Sequence, residues 1–271
     1  MRTLARKPDV FALAGLAVAV VLTVTGCEGD GQSGIPTESP EPSAVESVEE
    51  TTASAAAPTV VVGDVPGNPA ATVALQAWTN DLVAGTDVVG RCWTIAPERA
   101  RQMYADVDAI TAAVQQPGRD GQYAVTWSAG GVDVSVLRSE IASGYACPYV
   151  NPTGAPGYTD EDARYAVERF LGRVIGAPVD PDDTEERYPL VCEARGTWDP
   201  WGTGNPGVPP LATDPDVLGD LDSFDAAAAS VTPISEAYAS VTIPIVEAGT
   251  PRDLVVLLTT GSNGYCLGAV D

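Results

Sequence analysis

From Asn68 onward the apolar positions fall into a helical spacing. Ala71, Leu75, Trp78 and Leu82 are separated by steps of four, three and four residues, which places them on one face of a helix. Asn68 before Pro69 is a start signal, because an asparagine can cap the first turn and proline suits its first position. Cys92-Trp93 follows. Pro97 then opens a second predicted helix, with Met103, Val107, Ile110 and Val114 on one side, closed by Gln116-Pro117-Gly118. There the period changes to two. Tyr123, Val125 and Trp127 alternate, Ala129-Gly130-Gly131 turns the chain, and Val132, Val134 and Val136 alternate again, which is a hairpin pattern. A third short strand is predicted at Gly144-Tyr145-Ala146-Cys147.

Residues 151–157 (NPTGAPG) read as a loop, and Thr159 with Asp162 three positions on reads as a capping box. The helix it opens carries Ala163, Ala166, Val167, Phe170, Leu171, Val174 and Ile175, and Gly176 and Pro178 end it. An acidic loop over 180–186 leads to Cys192. A Pro/Gly-rich excursion over 198–210 follows, then a short predicted helix near Val217, Leu218, Leu221 and Phe224. The chain closes in strands: Val241, Ile243 and Ile245 alternate, residues 248–251 turn, residues 254–258 form a buried run, and a last turn leads into Tyr265-Cys266-Leu267. Both stretches run helix, cysteine, strand meander, then a last strand with Gly-Tyr near its cysteine. The expected fold class is therefore α+β, with helices packed on curved antiparallel sheets in two halves, 68–150 and 151–271, related by internal duplication.

The N-terminal part has a different texture. Arg2, Arg6 and Lys7 precede an uncharged apolar run over residues 11–24, shorter than the roughly 20 residues that span a bilayer. The run ends in Val24-Thr25-Gly26-Cys27. Small residues before a cysteine at the end of a signal core resemble a lipobox, where residues 1–26 are removed and Cys27 receives the lipid, palmitate among its acyl chains. An ordinary secreted chain and an uncleaved anchor are the other readings of the same residues. Residues 27–67 form a predicted tether rich in Pro, Ser, Thr and Glu, with no basic residue and too few apolar ones to offset chain entropy. As a flexible coil it would reach roughly 35 Å.

Charge narrows the function. The chain has 37 acidic and 14 basic residues and no histidine; removal of residues 1–26 leaves 36 against 11, a formal −25, and takes away Lys7, the only lysine. Such an excess of negative charge argues against nucleic acid, whose phosphates are held by Lys/Arg clusters. Without histidine or lysine, Ser–His–Asp, Cys–His and Ser–Lys catalysis, Schiff-base chemistry, a P-loop and histidine-ligated metal sites all lack a required group. A catalyst would need paired carboxylates with separated pKa values.

Residues 240–270 (SVTIPIVEAGTPRDLVVLLTTGSNGYCLGAV) resemble the closing strands of NTF2-like, cystatin-type domains of exported lipoproteins from high-GC Gram-positive bacteria. That resemblance implies a helix packed in a strongly curved antiparallel sheet. It implies no particular activity, since the fold serves enzymes, binding modules and scaffolds alike. With Cys27 acylated, Cys92, Cys147, Cys192 and Cys266 remain, and an even number in an exported chain favours disulfides. Four cysteines allow three pairings. The repeated order of elements selects Cys92–Cys147 and Cys192–Cys266.

Candidate chemistry is sparse. Asp180, Asp182, Asp183, Glu185 and Glu186 read as a solvated acidic loop or as carboxylates for hydrolysis, and Asp199 lies between Trp198 and Trp201 as a sugar-site acid would. Asp214, Asp216, Gly219, Asp220, Asp222 and Asp225 approach the spacing of a calcium loop, but Leu218 occupies a ligand position and no helix leads in. Trp93, Trp127, Trp198 and Trp201 are the candidate lining of a ligand pocket. No catalytic, cofactor or metal residue is assigned. The expected protein is a non-enzymatic lipoprotein on the outer face of the plasma membrane, held by Cys27, that binds an envelope protein or a small apolar ligand. A carboxylate-dependent hydrolase of envelope glycans is the alternative.

Overall fold

In the computed structural model, residues 59–194 and 197–271 are described. The signal segment, Cys27 and nearly all of the tether lie outside them. Helix α1 (Pro69–Val83) forms where the apolar spacing places it: Ala71, Leu75, Trp78 and Leu82 are all buried, and the Asn68 side chain accepts from the Ala71 N–H. The packed chain begins earlier than that start signal. Val62 and Val65 are buried in the same core, and the Trp127 indole N–H donates to the Gly63 carbonyl at 2.9 Å. A Cβ on Gly63 would lie 1.9 Å from the Gln116 carbonyl oxygen, so this contact of two backbones requires glycine.

A short helix α2 (Val88–Arg91) precedes Cys92. The predicted helix after Pro97 is two helices, α3 (Pro97–Met103) and α4 (Val107–Val114). Asp106 is the reason: its carboxylate accepts from the Ala109 N–H at 3.0 Å and caps a new helix start. The short strand β1 (Arg119–Asp120) and the strands β2 (Ala124–Ala129), β3 (Val132–Leu137) and β4 (Tyr149–Pro152) make an antiparallel sheet in sequence order. Gly130 and Gly131, with φ of 59° and 82°, form the two-residue turn between β2 and β3. The strand predicted at 144–147 is displaced. Helix α5 (Arg138–Ser143) intervenes, Gly144 ends it with a left-handed φ of 79°, and the strand starts at Tyr149, taking in Asn151 and Pro152 from the predicted loop.

Helix α6 (Asp160–Val174) begins at Thr159, whose N–H and hydroxyl both donate to the Asp162 carboxylate at 2.8 Å. Beyond it the strands β5 (Leu221–Phe224), β6 (Ser230–Pro233), β7 (Tyr238–Glu247), β8 (Thr250–Gly261) and β9 (Gly264–Val270) curl into an antiparallel half-barrel. The helix predicted near Val217 to Phe224 is strand instead: Leu221 and Phe224 pair with Glu247 and Ile245 of β7. Pro215 and Gly219 break a short apolar pattern that fits either period, and the open edge of β7 decides it. β9 carries a bulge at Gly268, where a Cβ would lie 2.3 Å from the Trp198 ring. The six-membered ring of Trp198 thus rests directly on bare backbone.

Two disulfides join Cys92 to Cys147 and Cys192 to Cys266, with Cα atoms 5.4 and 4.9 Å apart, the pairing expected from the repeated order of elements. The chain from Ser54 onward forms one compact unit built around two main apolar cores, one from Val62 to Cys147 and one from Ala163 to Leu267. No described helix is long and apolar enough to cross a membrane.

The turn between β7 and β8 holds one strained residue. Ala248 has φ 47° and Gly249 φ 74°, and Ala248 is the non-glycine residue with positive φ among those described. A left-handed alanine costs about 1–2 kcal/mol. Ala248→Gly or Ala248→Asn is therefore expected to stabilise the protein by about 1 kcal/mol, read as a higher midpoint in urea.

Candidate functional site

The four candidate tryptophans are not brought together. Trp127 is fully buried in the first core, and Trp198 packs on Gly268 and edge-on against Tyr238 with ring centroids 5.2 Å apart. Trp201 is 67% exposed at a loop tip. Trp93 alone of the four borders the seam between the two cores, edge-on to Tyr188 at 4.8 Å with the Arg169 guanidinium 5.3 Å from its ring. Asp199, placed between Trp198 and Trp201, is an acceptor within its own loop. Its carboxylate takes N–H bonds from Thr203 and Gly204 at 2.8 Å, which hold it below the usual carboxylate range.

The acid loop is neither a solvated run nor a set of free carboxylates. Arg169 and Arg173 stand four residues apart on α6 and converge on Asp183, whose side chain is 0% exposed. Arg169 donates to both carboxylate oxygens, at 2.6 and 3.2 Å, and Arg173 adds its own pair with Asp183. Arg173 also reaches Glu185 at 2.7 Å, and Glu185 accepts from the Leu190 and Val191 N–H groups. These bonds hold residues 190–192 along the edge of β9, where Leu190 and Cys192 bond Leu267 through their backbones. The two guanidinium groups outweigh burial and keep the Asp183 carboxyl below its usual range. The sequence signal for this lock was the Arg169/Arg173 spacing, which puts two cations on an otherwise apolar helix face.

The calcium-like run has turn functions. Asp222 accepts from the Gly249 N–H at 2.7 Å, and Asp225 accepts from the Ala227 and Ala228 N–H groups. No group of three or more acids or cysteines converges as a metal site among the described residues.

The concave features lie at the seam. Two adjoining crevices, of about 400 and 330 Å³ and open to solvent, share Thr94, Tyr149, Arg169, Leu190 and Asn263. Their narrow floors hold roughly two water molecules each. The first half supplies Thr94 from the loop after Cys92, Glu140 from α5 and Tyr149 from β4. The second supplies Asp162 and Arg169 from α6 and Asn263 from the β8–β9 turn. Hydrogen bonds cross the seam: Tyr165 donates its hydroxyl to the Trp93 carbonyl at 2.7 Å, and Arg169 donates to the Thr94 carbonyl at 3.4 Å. The first disulfide bears directly on the wall, since the Cys147 N–H donates to Glu140 at 3.4 Å. Sequence reading named neither Glu140 nor Asp162 as a cleft residue, because their neighbours come from distant segments.

Burial raises the pKa of both acids above ordinary carboxylate values of 4.5 and 3.8. For Glu140 the Cys147 N–H and the Arg169 charge pull the other way, and for Asp162 the Thr159 donors and Arg99 do so. The sign of the pH dependence follows. A raised folded pKa imposes no penalty below the unfolded value, and stability falls as pH rises from that value through the folded one. The lowered pKa of Asp183 works in the opposite sense: its stabilisation is present above 3.8 and is lost as pH falls through the depressed value. The melting temperature is expected to peak in mild acid and to decline toward neutrality. In Glu140→Gln that decline should be shallower; an unchanged slope would show that the Glu140 carboxyl does not set it.

No family model, curated protein or solved structure matches the chain.

Proposed function

We propose that the protein is a non-enzymatic binding module of the cell envelope, lipid-anchored through Cys27 on the outer face of the plasma membrane. The observation that carries this reading is the division of the cysteines: four are consumed in two disulfides, which persist in oxidising compartments, and Cys27 stands apart after an apolar segment. The absence of histidine, and of lysine beyond Lys7, supports a binding rather than a catalytic role. The shared order of helix, cysteine, meander and cysteine supports two NTF2/cystatin-like halves arisen by duplication, with the acidic tether as a spacer. Its ligand on this reading is an envelope protein or a small apolar molecule.

Fractionation of producing cells tests the anchor. The wild-type protein should sediment with membranes and be cut by protease added to intact cells, whereas Cys27→Ala should leave the membrane fraction. Protection of both forms inside intact cells would contradict the reading.

One observation favours the hydrolase alternative. Glu140 and Asp162 are two buried carboxyl groups of raised pKa on adjoining crevices, the kind of pair that glycoside hydrolysis employs. Turnover of envelope glycans abolished by Glu140→Gln would establish it; no turnover by the native protein would dismiss it.

A further inference from the structure

The seam contains acceptor and hydroxyl atoms that the chain leaves without partners. The Asp162 side chain is only 5% exposed, and its Oδ2 takes both Thr159 donors. Its Oδ1 has no hydrogen bond, nor does Thr94 Oγ1, and both residues line the same crevice. A buried carboxylate oxygen without a donor is a costly arrangement. The nearby cations do not relieve it. Arg99 approaches Oδ2, with Nε at 3.8 Å, and Arg169 is committed to Asp183 and to the Thr94 carbonyl.

The rest of the crevice suits a small cation. Tyr149, Tyr165 and Tyr265 line it, and Tyr158 stands edge-on to Tyr149 at 5.1 Å and 5.9 Å from Tyr265, forming an aromatic wall from β4 to β9. Aromatic faces attract ammonium groups. The folded body has no lysine to fill the space from within, and its acidic surface raises the local concentration of cations. The narrow floor admits a group of about two heavy atoms, the room of roughly two waters.

We propose that this crevice is a binding site for a small primary ammonium ion, whose N–H donors bond Asp162 Oδ1 and Thr94 Oγ1 between tyrosine walls. This deepens the binding-module reading by naming the ligand chemistry of the seam, and its failure would leave the anchor at Cys27 untouched.

The test is a titration of the purified native protein with methylammonium chloride at constant ionic strength, followed by amide chemical shifts in NMR. Saturable shifts centred on Thr94, Asp162 and Asn263 are expected. Methanol, which has no charge, and tetramethylammonium, which has no N–H, should produce none. Thr94→Val and Asp162→Asn should each weaken binding about tenfold or more, the loss typical of a hydrogen bond to a charged group. Thr94→Val leaves the Asp162 cap bonds in place, so it decides the matter if Asp162→Asn does not fold. The proposal is overturned by the absence of saturation, by an equal response to tetramethylammonium, or by unchanged affinity in Thr94→Val.

Discussion

Replacing Asp183 with alanine is expected to destabilise the protein by about 3–5 kcal/mol, the loss seen when one partner of a buried ion pair is removed. The carboxylate is fully enclosed and faces two arginines that are themselves nearly buried. Its removal leaves both guanidinium groups in a low-dielectric seam with only Glu185 and backbone carbonyls to answer them. The loop over 180–186 would then lose its hold on α6, and residues 190–192 their support beside β9. Asp182→Ala is the internal control. Asp182 pairs with Arg187 at 2.6 Å, but both side chains are more than half exposed, so the loss should stay within about 0.5 kcal/mol. Urea denaturation of the two variants should separate them clearly, and equal midpoints would mean that the enclosed pair contributes no more than the exposed one.

Removing a disulfide should have an effect of similar size. The bonds close loops of 55 and 74 residues, and on the chain-entropy account each restricts the unfolded state by about 4 kcal/mol. The Cys92→Ala/Cys147→Ala double variant should lose most of that figure in a denaturant titration. It should also loosen the seam, because Cys147 anchors Glu140 and Cys92 leads into the Thr94 loop. Broadened amide signals at Thr94 and Glu140 would show this directly. In the Cys192→Ala/Cys266→Ala variant the disturbance should instead centre on residues 190–192 and β9.

Where the sequence carried a strong period and a turn signal together, the element was legible. The face of α1 and the hairpin at Gly130-Gly131 follow from spacing alone, and so does the β7 face of Val241, Ile243 and Ile245. Short segments without both signals were read less well. Asp106 splits one apolar stripe into two helices, and residues 217–224 fit a helical spacing until the free edge of β7 claims Leu221 and Phe224 as strand. The burial of Val62 and Val65 was hidden by the composition around them, which is that of the tether. The seam was the least legible part. Its atoms come from residues near 94, 140, 162, 183 and 263, and no one-dimensional pattern joins those positions. Tryptophans drew attention as large aromatic residues, yet tyrosines line the crevice, and the carboxylates that matter there sit singly on two helices rather than in the acidic runs.

The most direct test of the account is the intact mass of the native protein isolated from its own membranes. The account predicts a chain that starts at Cys27, carries the added mass of acyl chains on that residue, and yields four thiols only after reduction. A chain that starts at Met1, bears no lipid and presents free thiols at Cys92, Cys147, Cys192 and Cys266 would contradict it.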